Sequence, residues 1–345
     1  MKEAVRVGII SLGCAKNLVD TEIMLGHLDR HGCRYVQDPE QADVIVINTC
    51  GFIGPAREES IQTILETAEL KKTSGLKRLV VAGCMVQRYR EQLSANLPEV
   101  DAFIGLDELP RVIESAGISG EAGPALTVAP GPSRSLYDHL SPRHLATPSW
   151  TAYLKIAEGC DHTCSFCAIP SFRGTFRSRT RDDLVREARR LAGEGVRELN
   201  LIAQDTSHYG RDRGESDGLP KLLQDLNGVD DLHWIRVHYL YPNTVTGSLI
   251  DAMADLPRVV PYVDMPLQHA DTAVLSRMLR GGTADSHVRL LDRFRKRLID
   301  PALRTTLIVG FPGETETEFG ALLDFVRQVR FDHVGVFTYS HEEDT

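Results

Sequence analysis

The chain has 345 residues, 42% of them hydrophobic and 25% charged, with a formal net charge of −9. That length suits two domains and a core that stands without disulfide staples. The acidic balance excludes a global basic footprint for nucleic acid, and no run of about 18 apolar residues is present to span a membrane. The opening MKEAVRVGII lacks a charged leader, apolar stretch and cleavage site, so a cytoplasmic address is expected. Thiols stay reduced there, and seven cysteines, an odd count, point to metal binding or catalysis rather than a disulfide framework.

Residues 5–10 (VRVGII) predict a buried strand and 17–30 a helix. A second strand at 43–48 (DVIVIN) precedes a helix over 57–72, and a third at 78–82 (RLVVA) precedes a helix over 88–96. Strands alternating with helices predict a small parallel α/β domain over residues 1–117. Residues 118–148 are rich in Gly, Pro, Ser and Ala without periodicity and read as a linker. The rhythm then resumes over 149–345, with strands expected at 153–157, 198–203, 234–239, 262–265, 305–310 and 333–339. Helices fill 182–193, 219–226, 245–254, 273–279, 286–298 and 315–329. Six β/α units that stop short of eight predict a partial (β/α)6 barrel, so the fold class is α/β throughout.

The cysteines fall into two sets. Cys160, Cys164 and Cys167 form a CxxxCxxC run directly after the first strand of the second domain. Three thiolates in one loop suit a 4Fe-4S cluster. With no fourth cysteine nearby, one iron is left open to chelate the amino and carboxylate groups of S-adenosylmethionine. Electron transfer into the sulfonium then cleaves a C–S bond and yields a 5′-deoxyadenosyl radical. The competing account is a zinc loop with Asp161 or His162 as fourth ligand, making the protein a zinc-binding interaction module, but zinc sites usually pair two CxxC-type knuckles and no second knuckle follows Cys167. Cys14, Cys50 and Cys84 are dispersed, yet each lies just beyond an apolar strand (GIISLGC, VIVINTC, LVVAGC). In a parallel sheet those strand ends share one edge, so the three can converge. Gly13, Gly51 and Gly83 adjoin them and permit tight turns and close backbone approach. Cys33 has no such placement and reads as structural.

These two sets, in this order, resemble the methylthiotransferase family of radical S-adenosylmethionine enzymes over essentially the whole chain. SLGCAKNLVDTE at 11–22, CAIPSFRGTFRSR at 167–179, IAQDTSHYG at 202–210, VHYLYP at 237–242, MPLQHAD at 265–271 and IVGFPGET at 308–315 look like the branch that modifies an aspartate of the twelfth small-subunit ribosomal protein. The tRNA-modifying branch, the alternative substrate class, usually shows a GQN-type sequence at Ala203–Asp205 and a Ser-Pro-His element near His238–Pro242.

The resemblance implies two 4Fe-4S clusters, an auxiliary one on Cys14, Cys50 and Cys84 and the radical-generating one on Cys160, Cys164 and Cys167. One S-adenosylmethionine would methylate sulfur at the auxiliary cluster and a second would supply the radical, which abstracts hydrogen from the aspartate β-carbon before the methylthio group is taken up. A β C–H bond beside a carboxylate is not acidic enough for general-base catalysis, worth about 10²–10⁴-fold. The implied partners are a ribosomal protein or the small ribosomal subunit and a low-potential electron donor such as flavodoxin or ferredoxin, with no membrane. Family members usually continue into a small all-β TRAM domain, whereas this sequence stops at Thr345, so a truncated chain is expected.

Gln204 and Asp205, at the end of the second barrel strand, and Gly310, Gly313 and Glu314, in a turn between strand and helix, are the candidates for contact with S-adenosylmethionine. Arg173, Arg177, Arg179 and Arg181 follow the cluster loop and could neutralise cluster charge or guide an acidic substrate. His238, Tyr239, Tyr241, Gln268 and His269 lie at strand ends and could line the pocket.

Overall fold

The computed structural model describes residues 4–118, 126–129, 131–343 and 345. Contacts divide the chain into two units. One comprises residues 1–146, 168–175 and 342–344, the other residues 147–167, 176–341 and 345.

The first unit runs β1 (Arg6–Ser11), α1 (Ala15–Arg30), β2 (Arg34–Tyr35), β3 (Val44–Thr49), α2 (Gly54–Thr73), β4 (Arg78–Gly83), α3 (Cys84–Asn96), β5 (Ala102–Ile104), α4 (Val112–Ser115) and β6 (Leu126–Thr127). The strands form one parallel sheet in the order β2-β1-β3-β4-β5-β6. Every residue of β3 is buried, as a central strand covered on both faces requires. Val44, Val46, Val80 and Ala82 pack with Met24, Leu28 and Val112 on one face, while Ile45, Ile47, Leu79 and Val81 meet Ile64, Ala68 and Met85 on the other. The strand period of two thus sorts the residues between the helix layers.

Three short strands, β2, β5 and β6, add to the three expected, and α3 begins at Cys84 rather than near residue 88. Residues 131–146, within the stretch expected to be a linker, join the first unit. Arg143 is buried against Glu22 at 2.6 Å, and Asp107 accepts from the backbone amides of Arg134 and Ser135. Gly26 is the close approach on α1, since a Cβ there would stand 2.4 Å from the Pro142 carbonyl carbon. The rest of that stretch, 119–125 and 130, lies outside the described residues.

In the second stretch of chain, β7 (Thr151–Lys155), β8 (Ala157–Glu158), α5 (Ile169–Arg173), β9 (Arg177–Ser178), α6 (Arg181–Gly193), β10 (Glu198–Ile202), α7 (Gly218–Asn227) and β11 (Trp234–Val237) are followed by α8 (Gly247–Asp255), β12 (Tyr262–Asp264), α9 (Thr272–Arg277), α10 (Ala284–Arg297), β13 (Ala302–Val309), α11 (Glu316–Val329) and β14 (His333–Thr338). Helix α5 belongs to the first unit. The second unit holds two parallel three-stranded sheets, β11-β10-β7 and β12-β13-β14. An isolated bridge from Ile235 to Val259 and the bond from Leu240 N–H to the Asp264 carbonyl (2.8 Å) connect them. Six strands therefore follow one another in chain order as a partial barrel. Thr283 and Thr315 start α10 and α11 with capping boxes, which satisfy amide donors that a helix start leaves unpaired. Along β13, Leu303, Thr305 and Leu307 are buried while Arg304, Thr306 and Ile308 are half-buried, so the row facing away from the helices is not packed solid. Among the described residues no helix is long and apolar enough to cross a membrane.

Candidate metal centres

In the first unit, Cys14 is the N-cap of α1, Cys50 follows β3, and Cys84 opens α3 directly after β4. β1, β3 and β4 are neighbours in a parallel sheet, so their carboxyl ends bring the three thiols to one edge. Gly13 is pressed against Cys50, because a Cβ there would stand 3.2 Å from the Cys50 Sγ. Gly83 has φ +101° and leaves no room for a Cβ beside Asn48 Oδ1, which would be 2.1 Å away. These two glycines shape a cradle that any side chain would fill.

Asn17 ties the edge together. Its Nδ2 donates to the carbonyls of Leu12 (3.0 Å) and Thr49 (2.8 Å), which fixes the loops carrying Cys14 and Cys50. Its Oδ1 accepts from Cys84 Sγ at 3.1 Å and from Arg173 Nη2 at 2.9 Å. Arg173 comes from α5 and is fully buried; its Nη2 also lies 2.9 Å from Asp20 and 3.1 Å from Cys84 Sγ. Burial pushes the Cys84 thiol up to about 12; the Arg173 guanidinium opposes this, and Cys14, Cys50 and Asp20 add to it. Burial also raises the Cys50 thiol, Cys14 adds to this, and Arg173 counters it. One buried cation thus favours the thiolate of two cysteines whose surroundings otherwise keep them protonated.

In the second unit, the loop after β8 carries the other trio. Cys167 N–H donates to the Cys164 carbonyl at 3.1 Å, and the loop is pinned by Ser165, whose amide donates to the Met278 carbonyl (3.0 Å) and whose hydroxyl donates to the Arg277 carbonyl (2.8 Å). Arg280 Nη1 approaches Cys164 Sγ at 3.5 Å, and its guanidinium sits 4.5 Å above the Tyr241 ring. Burial pushes the Cys160 thiol up to about 11, with Asp205, Cys164 and Asp161 adding to it. His162 stacks on Tyr241 with ring centroids 3.9 Å apart, and its Nε2 lies 2.7 Å from Asp205.

Among the described residues no three His, Cys, Asp or Glu side chains close on a single metal ion. A zinc site needs such convergence, with ligands about 2.0–2.3 Å from one point. A cubane asks for something different, since each thiolate binds its own iron and the sulfurs stand apart. Both trios offer that donor set, and the glycine cradle of the first is consistent with a bulky guest.

The candidates for cosubstrate contact divide on inspection. The Asp205 carboxylate accepts from His162, from the hydroxyls of Ser207 (2.6 Å) and Thr244 (3.3 Å) and from the His208 amide (3.2 Å). Glu314 accepts from the Phe311 amide (3.0 Å) and faces His269 Nε2 (3.2 Å), closing the turn that holds Gly310 at φ +72° and Gly313 at φ +79°. Both carboxylates, expected to meet S-adenosylmethionine, also position their own loops through these bonds. Gln204 is half-buried, and its amide has no partner among the described residues. Of the four arginines after the cluster loop, Arg179 is buried against Asp183 and Glu187, and Arg181 pairs with Asp225 at the surface. Sequence reasoning missed Asn17 and Arg280. Asn17 does stand within the CAKN run beside Cys14, but its partners lie in loops far along the chain.

A partial barrel of parallel β/α units with a three-cysteine loop behind its first strands defines a radical S-adenosylmethionine protein. The model of the Radical SAM superfamily matches residues 154–326, and that of the Uncharacterized protein family UPF0004 matches residues 6–105. Among solved structures, the radical S-adenosylmethionine methyltransferase TsrM from Kitasatospora setae shares the fold at a TM-score of 0.68 and 14% identity, covering 97% of this chain and 73% of its own. The cobalamin-dependent S-adenosylmethionine radical enzyme OxsB follows at a TM-score of 0.60 and 12% identity, covering 94% of this chain and 52% of its own. Curated relatives are far closer in sequence. The ribosomal protein uS12 methylthiotransferase RimO of Solibacter usitatus is 50% identical over 98% of this chain and 72% of its own length. That of Symbiobacterium thermophilum is 51% identical over 99% and 70% respectively. The chain belongs to the RimO family of radical S-adenosylmethionine methylthiotransferases. Membership implies S-adenosylmethionine and 4Fe-4S clusters as its cofactors.

Proposed function

We propose that the protein adds a methylthio group to the β-carbon of an aspartate in ribosomal protein uS12. The supporting observation is a pair of three-thiol sites, one in each unit, on a chain about half identical to uS12 methylthiotransferases over nearly its full length. Cys14, Cys50 and Cys84 would hold the auxiliary cluster, and Cys160, Cys164 and Cys167 the second. When bound, the clusters and S-adenosylmethionine supply one-electron chemistry and a transferable methylthio group.

This chain's own residues prepare the sites. Asn17 fixes two loops of the first trio, and Arg173 supplies a buried positive charge where thiolates must form. Asp205 holds His162, and through it the Cys160–Cys164 segment, against the Tyr241 ring. Gln204, Asp205, Glu314 and the left-handed turn of Gly310 and Gly313 would receive the cosubstrate. A low-potential donor of the flavodoxin or ferredoxin kind would supply electrons, and a cytoplasmic setting would bring the protein to its ribosomal substrate.

The test is anaerobic reconstitution with iron and sulfide, then separate incubation with uS12, with small ribosomal subunits and with tRNA. Mass gain of one methylthio group on an aspartate of uS12 is expected. A gain confined to tRNA would transfer the chain to the nucleic-acid branch.

A further inference from the structure

The second unit contains a charged network that cluster and cosubstrate binding leave unused. Leu199, Leu201, Ile235, Val237, Val263 and Leu303 are at most 1% exposed. Alternation along the strands places their neighbours Asn200, Arg236, Tyr262, Asp264 and Arg304 on the opposite, inner side. There Arg304 Nη1 donates to Asp264 Oδ1 at 2.7 Å. Asp264, with no exposure, also meets His238 Nδ1 at 3.1 Å, and His238 Nε2 lies 3.1 Å from Asn200 Oδ1. Although burial opposes it, the His238 bond and the Arg304 charge hold the Asp264 carboxyl below its ordinary range. Asp264 ends β12 and His238 follows β11, whereas Arg304 is the third residue of β13 and Asn200 the third of β10, so the network lines the inner face of the strands below their carboxyl ends.

Arg304 is braced but not satisfied. Its side chain is 34% exposed, and among the described residues its Nε and Nη2 meet no acceptor. Arg236 is tied by Nε to Glu198 at 2.8 Å, and its guanidinium lies 4.8 Å over the Tyr262 ring, whose hydroxyl is likewise unpartnered among the described residues. Just beyond β11 and β12, Tyr239 (φ +60°) and Gln268 (φ +72°) hold left-handed backbone conformations that non-glycine residues rarely adopt. Such strain tends to gather at ligand sites. A guanidinium with a free edge in a half-enclosed space matches one ligand chemistry best, a carboxylate taken through two parallel N–H bonds.

We propose that Arg304, braced by Asp264 and flanked by Arg236 and Tyr262, binds the side-chain carboxylate of the residue to be modified. This rests on the uS12 aspartate reading and adds how an acidic side chain is chosen. A site built around a paired charge rejects an analogue that lacks it, because its own buried groups are left unsatisfied.

The test uses the reconstituted holoenzyme with uS12 and with uS12 whose target aspartate is changed to asparagine. The wild type is expected to favour the aspartate form by about 100-fold or more in kcat/KM. Arg304→Gln should raise KM for uS12 by at least about tenfold and reduce that preference by a similar factor, while Arg304→Lys recovers part of both. The dissociation constant for S-adenosylmethionine should change by no more than about twofold. Asp264→Asn with Arg304→Gln avoids a lone buried carboxylate, and the wild-type preference needs no variant at all. Equal turnover of aspartate and asparagine forms would overturn the proposal. So would an unchanged KM in Arg304→Gln, or weakened S-adenosylmethionine binding alone, which would assign the carboxylate to the cosubstrate. Wild-type enzyme inert towards uS12 but active on tRNA would instead overturn the underlying reading, and the proposal with it.

Discussion

The buried Nη2 of Arg173 meets Asp20, Asn17 and Cys84. Arg173→Met would strip this guanidinium from the buried Asp20 carboxylate, and removing one partner of a buried ion pair costs roughly 3–5 kcal/mol. Pairing it with Asp20→Asn should restore most of that in urea unfolding of the apo protein. The double variant, which loses one positive and one negative charge near Cys84, should still fold; Arg173→Met alone should have an auxiliary cluster that reduces at a lower potential, because a cation beside the thiolates favours the more negative state. An unchanged potential by EPR-monitored titration would mean Arg173 is structural only. His287 gives a second prediction at this scale. Both its ring nitrogens are buried without partners among the described residues, and burial lowers its pKa to about 4, with Arg280 contributing. The unfolded chain therefore binds the proton near pH 6.5 and the native state only near pH 4. Stability should fall as pH drops through that window, by up to about 3 kcal/mol. His287→Leu should flatten the profile, which thermal melts from pH 7 to 4 would show. The six clustered cysteines were legible because spacing and strand context reveal them. Arg173 was not, because nothing local separates it from Arg177, Arg179 and Arg181; only the fold buries it beside Cys84.

The strand-to-helix turns decide whether thiols can approach one another. Gly83→Ala would force a side chain into φ +101° and within 2.1 Å of Asn48 Oδ1. Gly32, with φ +72° and open space around it, is the control. Gly32→Ala should cost only backbone strain, about 1–2 kcal/mol. Gly83→Ala should cost clearly more and also lower iron content on reconstitution; equal urea midpoints for the two would show that the turn is not tightly packed. Long elements with a clear period were readable, as was the helix start at Thr315, whereas α10 was expected from residue 286 and is capped earlier, by Thr283. Strands β2 and β6, two residues each, have no period to read, and residues 131–146 are held by distant partners such as Glu22 and Asp107.

At the scale of the molecule, each unit is an α/β layer that gathers three cysteines, by strand ends in one case and by a single loop in the other. The family assignment was legible because both cysteine sets and the flanking motifs survive in linear order. The charged inner row around Arg304 was not, because its members come from four strands and only the sheet register aligns them. Distinct cysteine sets imply separable activities. The most direct measurement follows both products, 5′-deoxyadenosine and methylthio-modified uS12, in reconstituted wild type, Cys164→Ala and Cys50→Ala under anaerobic single-turnover conditions. Cys164→Ala should lose both products, while Cys50→Ala should still form 5′-deoxyadenosine and transfer no methylthio group. Full methylthio transfer by Cys50→Ala, or equal loss of both products in the two variants, would contradict two independent cluster sites.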